Sequence, residues 1–254
     1  MKKKPVSQAA IDKSEMTMIG HIEELRKRLL FSLVSLAAGV GISLFFGEKV
    51  VTLLTVPIGG LDKLQSIEIT ENIGVYMRVS LLTGVIIAFP VILYELLMFV
   101  LPGLTRNEKR YVLWTIPLAT AFFVGGVAFA FLVMLPAALP FLVNFLGVTT
   151  NPRLSNYISF VTNLLFWVGV SFELPLFVYV IARFGLVTPK MLLHFWRQAI
   201  VIIAILAAVI TPTVDPVNMG LMMIPLVILY FVSILFAWFA SKGRVKKDSE
   251  NVIA

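Results

Sequence analysis

Four carboxylates stand where a carboxylate is costly or crowded. Glu173 lies roughly midway along an apolar run, which places it near the centre of a bilayer span. An ionisable group at that depth costs at least a few kcal/mol unless it is paired or hydrated, so Glu173 is a functional candidate. Pro175 leaves the Ser171 carbonyl without its helical amide and adds a second polar group nearby. The competing reading is structural, a protonated glutamic acid bonding a neighbouring helix. Glu95 occupies another apolar run but lies closer to its end, within reach of the interface.

Glu24 and Glu108 stand among basic residues. Glu23 with Lys27, and Glu24 with Arg28, have the favourable i,i+4 order on a helix, so local salt bridges account for them cheaply. Exposed pairs of that kind contribute only about 0–1 kcal/mol. A carboxylate held at a membrane surface is equally a receptor for arginine, whose planar fork binds it with two bonds. Both readings stand on the residues alone.

Enzymatic chemistry finds no support. There is no Gly-x-x-x-x-Gly-Lys-Ser/Thr loop for a nucleotide. His21-Ile-Glu-Glu-Leu25 begins like a zinc-protease helix, but position 25 is leucine where the second histidine would stand. His194 is the other histidine, and there is no cysteine, so neither a catalytic metal site nor a thiolate or disulfide is expected. No pair of membrane aspartates suits intramembrane proteolysis. The chain reads as a non-enzyme without cofactor.

The elements that must position these residues are membrane helices. The chain has 254 residues, 59% apolar and 14% charged, with mean hydropathy +0.96. A soluble domain is nearer half apolar and a quarter charged, so lipid must cover the excess. A net charge of +7 could suggest nucleic acid, but the charges cluster between apolar runs as in membrane loops. The long polar N-terminus and the spans that follow it exclude a cleaved secretory signal, and it lacks the Ser/Arg bias of a transit peptide.

Spans are expected near 29–47, 79–101, 111–135, 157–182, 197–212 and 217–240. The fifth is short, and predicts local bilayer thinning. Lys and Arg divide 17 to four between the two sides, with Lys49, Lys63, Arg78 and Arg153 forming the minority. The positive-inside rule places the majority, and with an even number of spans both termini, in the cytoplasm. The expectation is therefore a single all-α polytopic membrane domain over 1–254, with six transmembrane helices and flexible tails over 1–20 and 243–254.

Residues 48–78 and 136–156 form the larger outer loops, and Thr211 to Pro216 a tight turn. Pro90, Pro117, Pro175 and Pro225 fall inside spans and are expected to bend them. Ser35, Gly39 and Ser43 recur every four residues, a small-residue stripe for close helix contact within the chain or between copies. There is no internal repeat of the kind that marks inverted-repeat transporters.

Several motifs, in order, resemble the TatC family, the polytopic core of the twin-arginine protein translocase. They are His21-Ile-Glu-Glu-Leu-Arg-Lys-Arg-Leu-Leu30, Phe89-Pro-Val-Ile-Leu-Tyr94, Phe99-Val-Leu-Pro-Gly-Leu104, Glu108-Lys-Arg110, Phe172-Glu-Leu-Pro175, Arg183-Phe-Gly-Leu-Val-Thr188 and the stretch from Leu206 through Asp215. The likeness covers roughly residues 17–245. It implies a cup- or glove-shaped bundle in the plasma membrane of a prokaryote, without cofactor. It implies recognition of folded cargo carrying an Arg-Arg signal peptide, driven by the proton gradient, and assembly with single-span TatA- and TatB-type partners and possible further copies of itself.

The resemblance maps signal binding onto Glu24 and Glu108, with Arg26, Arg28, Phe99, Pro102 and Leu104 shaping the site. It maps intramembrane polar or partner contacts onto Glu173, Thr211 and Asp215, and the outer-loop proline onto Pro57. The sequence departs from the family at Asn218-Met219, where a Ser-Gln pair is usual, and at Phe231, where a glutamate is. Ile73 and Gly74 replace a usual pair of phenylalanines. Two other readings stay open: a small-solute transporter using Glu173 as proton carrier, and a pure assembly scaffold.

Overall fold

The computed structural model describes residues 8–100, 106–143, 152–210 and 216–253, with side chains described for 20–99, 115–143, 152–210, 216 and 219–242. The elements are α1 (Gln8–Leu44), α2 (Gly47–Thr55), α3 (Glu71–Val100), α4 (Arg106–Phe129), α5 (Leu135–Val143), α6 (Leu154–Ser171), α7 (Leu174–Arg183), α8 (Pro189–His194), α9 (Trp196–Ile210) and α10 (Pro216–Ile253). Among the described residues the one pairing of strand type is an isolated parallel bridge between Gln65 and Arg153.

Among the described residues, five stretches are long and apolar enough to cross a membrane: Gly20–Leu44, Glu71–Phe99, Thr115–Val143, Leu154–Arg183 and Met219–Lys242. The run expected over 197–212 forms α9, Trp196–Ile210, of 15 residues. That is roughly 22 Å of helix against a hydrocarbon layer of about 30 Å.

Several expected spans differ from the helices. The first, expected over 29–47, ends at Leu44 before a turn at Phe45 and Phe46, and the others differ for local reasons. The helix expected from 79 begins at Glu71, whose carboxylate is tied into the preceding loop. The helix expected to end at 135 runs on to Val143 through a π-helical turn, Ala130–Met134. There the Leu135 amide bonds to the Ala130 carbonyl, five residues back. Pro136 follows directly, inside the continuous helix, and its missing amide leaves a carbonyl of the π-helical turn without that donor. The run expected as one span over 157–182 is two helices meeting at Phe172 and Glu173, because Pro175 sits in the first turn of α7.

The segment between α1 and α3 is built rather than loose. It holds α2 and the 3-10 turns Val56–Ile58 and Leu61–Lys63. The backbone over 8–20 and 243–253 is helical.

Helices α1 and α3 run antiparallel along most of their length. At one end the Tyr76 hydroxyl donates to the Leu44 carbonyl; at the other the His21 ring stacks on Phe99 with centroids 4.4 Å apart. Between them the backbones meet through glycine. A Cβ added to Gly39 would lie 2.5 Å from the Gly84 carbonyl oxygen, and one added to Gly84 would lie 2.7 Å from the Val40 nitrogen. Gly39 and Ser43 of the small-residue stripe are both buried in this chain, so the stripe serves packing within it.

The central helix is α6. Ile158, Val161 and Val168 are fully buried among residues of α3, the π-helical turn and α9. Helix α10 closes the other side against α7, α8 and α9, where the Tyr230 hydroxyl donates to the Leu192 carbonyl at 2.6 Å.

Candidate functional site

The two ends of the α1–α3 pair carry two different charged assemblies. At the end holding His21 and Phe99, helix α1 turns Glu24 and Arg28 to the same face, one turn apart. Arg28 Nη2 donates to Glu24 Oε1 at 3.4 Å, and Nη1 donates to Glu95 Oε2 of α3 at 2.9 Å. The Glu24–Arg28 helical pair expected from spacing is therefore made, at the long end of hydrogen-bond distance. The Glu23–Lys27 pair is not among the ion pairs of the described residues.

Glu24, Arg28, Glu95, His21 and Phe99 thus converge. Arg26 lies on the same helical segment with its side chain exposed. Glu108 is the third residue of α4, but its side chain lies outside the described residues, as do Pro102 and Leu104. Spacing could not find Glu95, because its partner Arg28 is 67 positions away in sequence. The one available signal was an acid set close to the end of an apolar run.

At the opposite end Glu71 organises the segment between α2 and α3. Its Oε2 accepts from the amides of Ile67 at 2.9 Å and Glu68 at 3.2 Å, and from Arg153 Nε at 3.1 Å. Its Oε1 accepts from the Ser155 amide, in the first turn of α6, at 2.8 Å. Helix N-termini favour a negative group in just this position. Arg153 also bonds Glu68 at 2.7 Å. The carboxylates of Glu68 and Glu71 together hold the guanidinium pKa above its ordinary value. Beside this assembly Arg78 donates to the Ser159 hydroxyl, and Tyr157 to the Leu54 carbonyl at 2.7 Å. Pro57 sits in the 3-10 turn Val56–Ile58 and is partly buried; Gly59 and Gly60 follow at φ 99° and 102°, a left-handed region that glycine tolerates. Sequence reasoning missed the clamp, since Glu71 and Arg153 read as ordinary loop charges.

Glu173 stands at the break between α6 and α7, partly buried, with Oε1 buried and without a hydrogen-bond partner. The break follows from Pro175. A buried acceptor without a donor is uncommon in a folded chain. Thr211 and Asp215 lie outside the described residues, as does the side chain of Asn218. Met219 packs against the main apolar cluster. Phe231 is 44% exposed on α10. Where a polar patch would need a glutamine and a glutamate, this chain has a core side chain and an apolar outward one.

The family pattern of the Sec-independent protein translocase protein (TatC) matches residues 20–225. The Sec-independent protein translocase protein TatC of Carboxydothermus hydrogenoformans is 35% identical over 227 residues, covering 88% of this chain and 93% of its own length. The protein of the same name from Desulforapulum autotrophicum is 39% identical over 237 residues, covering 91% of this chain and 86% of its own. A crystal structure of the twin arginine translocase receptor TatC superposes with a TM-score of 0.78 at 36% identity, over 87% of this chain and 99% of that one.

Proposed function

We propose a receptor role for this chain, which belongs to the TatC family of Sec-independent protein translocase proteins. The chain is a membrane subunit of a protein translocase, related to translocase subunits rather than to enzymes. Within that function, its cytoplasmic face receives the Arg-Arg signal peptide of folded cargo. One observation carries the reading. Glu24, Arg28 and Glu95 meet beside the His21–Phe99 stack, leaving a partly exposed Glu24 carboxylate with one long bond from its own chain. Glu24 takes one signal guanidinium and Glu108, at the start of α4, takes the other. Arg26, Arg28, Phe99, Pro102 and Leu104 shape the surface around them. Lysine substitutes poorly because its compact ammonium lacks the two-bond fork.

The apolar part of the signal lies against the concave, thinned side of the bundle. Glu173, partly exposed at the break between α6 and α7, bonds a polar group on the membrane helix of a TatA- or TatB-type partner. Thr211 and Asp215 contribute to that contact, and Pro57 stiffens the outer loop. Transport draws on the proton gradient. The protein sits in the plasma membrane of a prokaryote with six spans and both termini in the cytoplasm.

Binding of a fluorescent Arg-Arg signal peptide to the purified full chain in detergent tests the receptor reading. Glu24→Ala and Glu108→Ala are each expected to weaken binding about tenfold, and a Lys-Lys peptide by as much. Equal binding of both peptides, or unchanged binding in both variants, would return the carboxylates to surface salt bridges. Solute uptake by vesicles containing this protein alone would instead favour the transporter.

The sixth span is tested by topology. The chain has no cysteine, so single cysteines report without background. Ser66→Cys and Thr213→Cys are expected to react with a membrane-impermeant maleimide from outside, and Thr188→Cys after permeabilisation. Labelling of position 213 from the same side as position 188 would make α9 a surface helix and move the C-terminus outside.

A further inference from the structure

One arginine at the inner end of the bundle is shared between two carboxylates on two helices. Arg28 Nη1 donates to Glu95 at 2.9 Å and Nη2 to Glu24 at 3.4 Å, while Nε is buried with no partner. Neither pairing uses the Nε–Nη edge together with its neighbour on one carboxylate. Neither is the parallel two-bond arrangement that makes arginine–carboxylate pairs strong. The short bond goes to the side chain that solvent reaches least, Glu95 at 11% exposure. The long bond goes to Glu24, at 31%. The three side chains together carry one net negative charge, and the open acceptor capacity is on the exposed member.

We propose that Glu95 is a positioning residue that restrains Arg28 and so keeps the Glu24 carboxylate open to an incoming guanidinium. The proposal rests on the reading of Glu24 as part of a signal receptor, and adds what keeps that receptor vacant. Arg28 has the same chemistry as the ligand and stands one helical turn away on the same helix. A tethered guanidinium competes at an effective concentration that a dissolved peptide does not reach. Left alone, it would swing to Glu24 and satisfy its buried Nε as well. Glu95, presented from α3, draws it aside with the shorter bond. A movement of α1 against α3 that lengthened the Arg28–Glu95 bond would hand Arg28 to Glu24 and close the receptor. The packing of these two helices therefore sets ligand affinity without either helix end being rebuilt.

The test uses the full chain in detergent and a labelled Arg-Arg peptide, with wild type, E24A, E95Q, R28Q and the E95Q/R28Q double variant. E95Q is expected to weaken binding about tenfold, since Arg28 then belongs to Glu24. R28Q is expected to bind severalfold more tightly than wild type, and E95Q/R28Q to bind as R28Q does. A counter-ion role confined to stability would lower the melting temperature of E95Q without any reversal by R28Q. E95Q binding like wild type, a double variant as weak as E95Q, or an R28Q weaker than wild type would each overturn the proposal. If E95Q does not fold, R28Q against wild type decides alone. Failure of the receptor reading is distinguishable: wild type would bind Arg-Arg and Lys-Lys peptides equally, or E24A would bind as wild type does.

Discussion

Replacing Gly84 with alanine lowers the melting temperature of the purified protein by about 5–10 °C, while Gly125→Ala leaves it unchanged or raises it. On propensity alone both changes should stabilise, because glycine inside a helix is less favourable than alanine by roughly 0.5–1 kcal/mol. The sign at position 84 is reversed by what the new methyl meets. Its nearest neighbours would be the Val40 side chain at 2.5 Å, Val40 N at 2.7 Å and Val40 Cα at 2.8 Å, two of them backbone atoms that no rotamer change can move. At Gly125 nothing lies within 4 Å. Overpacking a tight contact costs about 1–3 kcal/mol, and each kcal/mol shifts the midpoint of a chain this size by about 2–4 °C.

The same change has a functional reading. Helix α1 carries Glu24 and Arg28, and α3 carries Glu95 and Phe99. Pushing the helices apart at Gly39 and Gly84 misplaces one half of the Glu24–Arg28–Glu95 cluster against the other, so Gly84→Ala also weakens Arg-Arg peptide binding. Thermal scanning of the two variants in one detergent is the measurement. A stabilised Gly84→Ala would mean that α1 and α3 do not meet through these glycines.

The contrast between these glycines marks what sequence spacing carries. The recurrence of Ser35, Gly39 and Ser43 announced a close helix contact, because the α-helical period places them on one stripe. It could not name Gly84 as the opposite partner, since nothing local links the two. Glu24 and Arg28 were legible as a pair for the same reason, whereas Glu95 was not. Pro175 announced the break at Glu173, since a missing amide acts within one turn. The register of helix ends was less legible: α3 starts at Glu71 and the third apolar helix continues to Val143, both through bonds that the local sequence does not specify. Met219 illustrates the converse. Its departure from the family pattern was visible as a letter change, but its place against the apolar cluster emerges from the assembled helices.

Glu71→Gln is expected to lower the melting temperature by on the order of 10 °C, more than Arg153→Gln, which in turn exceeds Glu68→Gln. The ranking follows from how many donors lose their acceptor. Glu71 is 1% exposed at its side chain and serves four N–H donors, from Ile67, Glu68, Ser155 and Arg153. An amide at that position keeps the shape but turns an NH2 group toward at least one backbone N–H, so a buried donor is left facing a donor. Arg153→Gln removes one donor and leaves the three amides satisfied. Glu68, at 65% exposure, offers an open surface pair whose loss matters little. Equal losses from all three variants would reduce the assembly to a screened surface ion pair, and the effects would then fade together as salt is added. Peptide affinity supplies the second discriminator. The clamp fastens the segment between α2 and α3 to α6, at the far end of α3 from Glu95. Folded Glu71→Gln protein at a temperature below its midpoint should therefore bind the Arg-Arg peptide as wild type does, while Gly84→Ala should not.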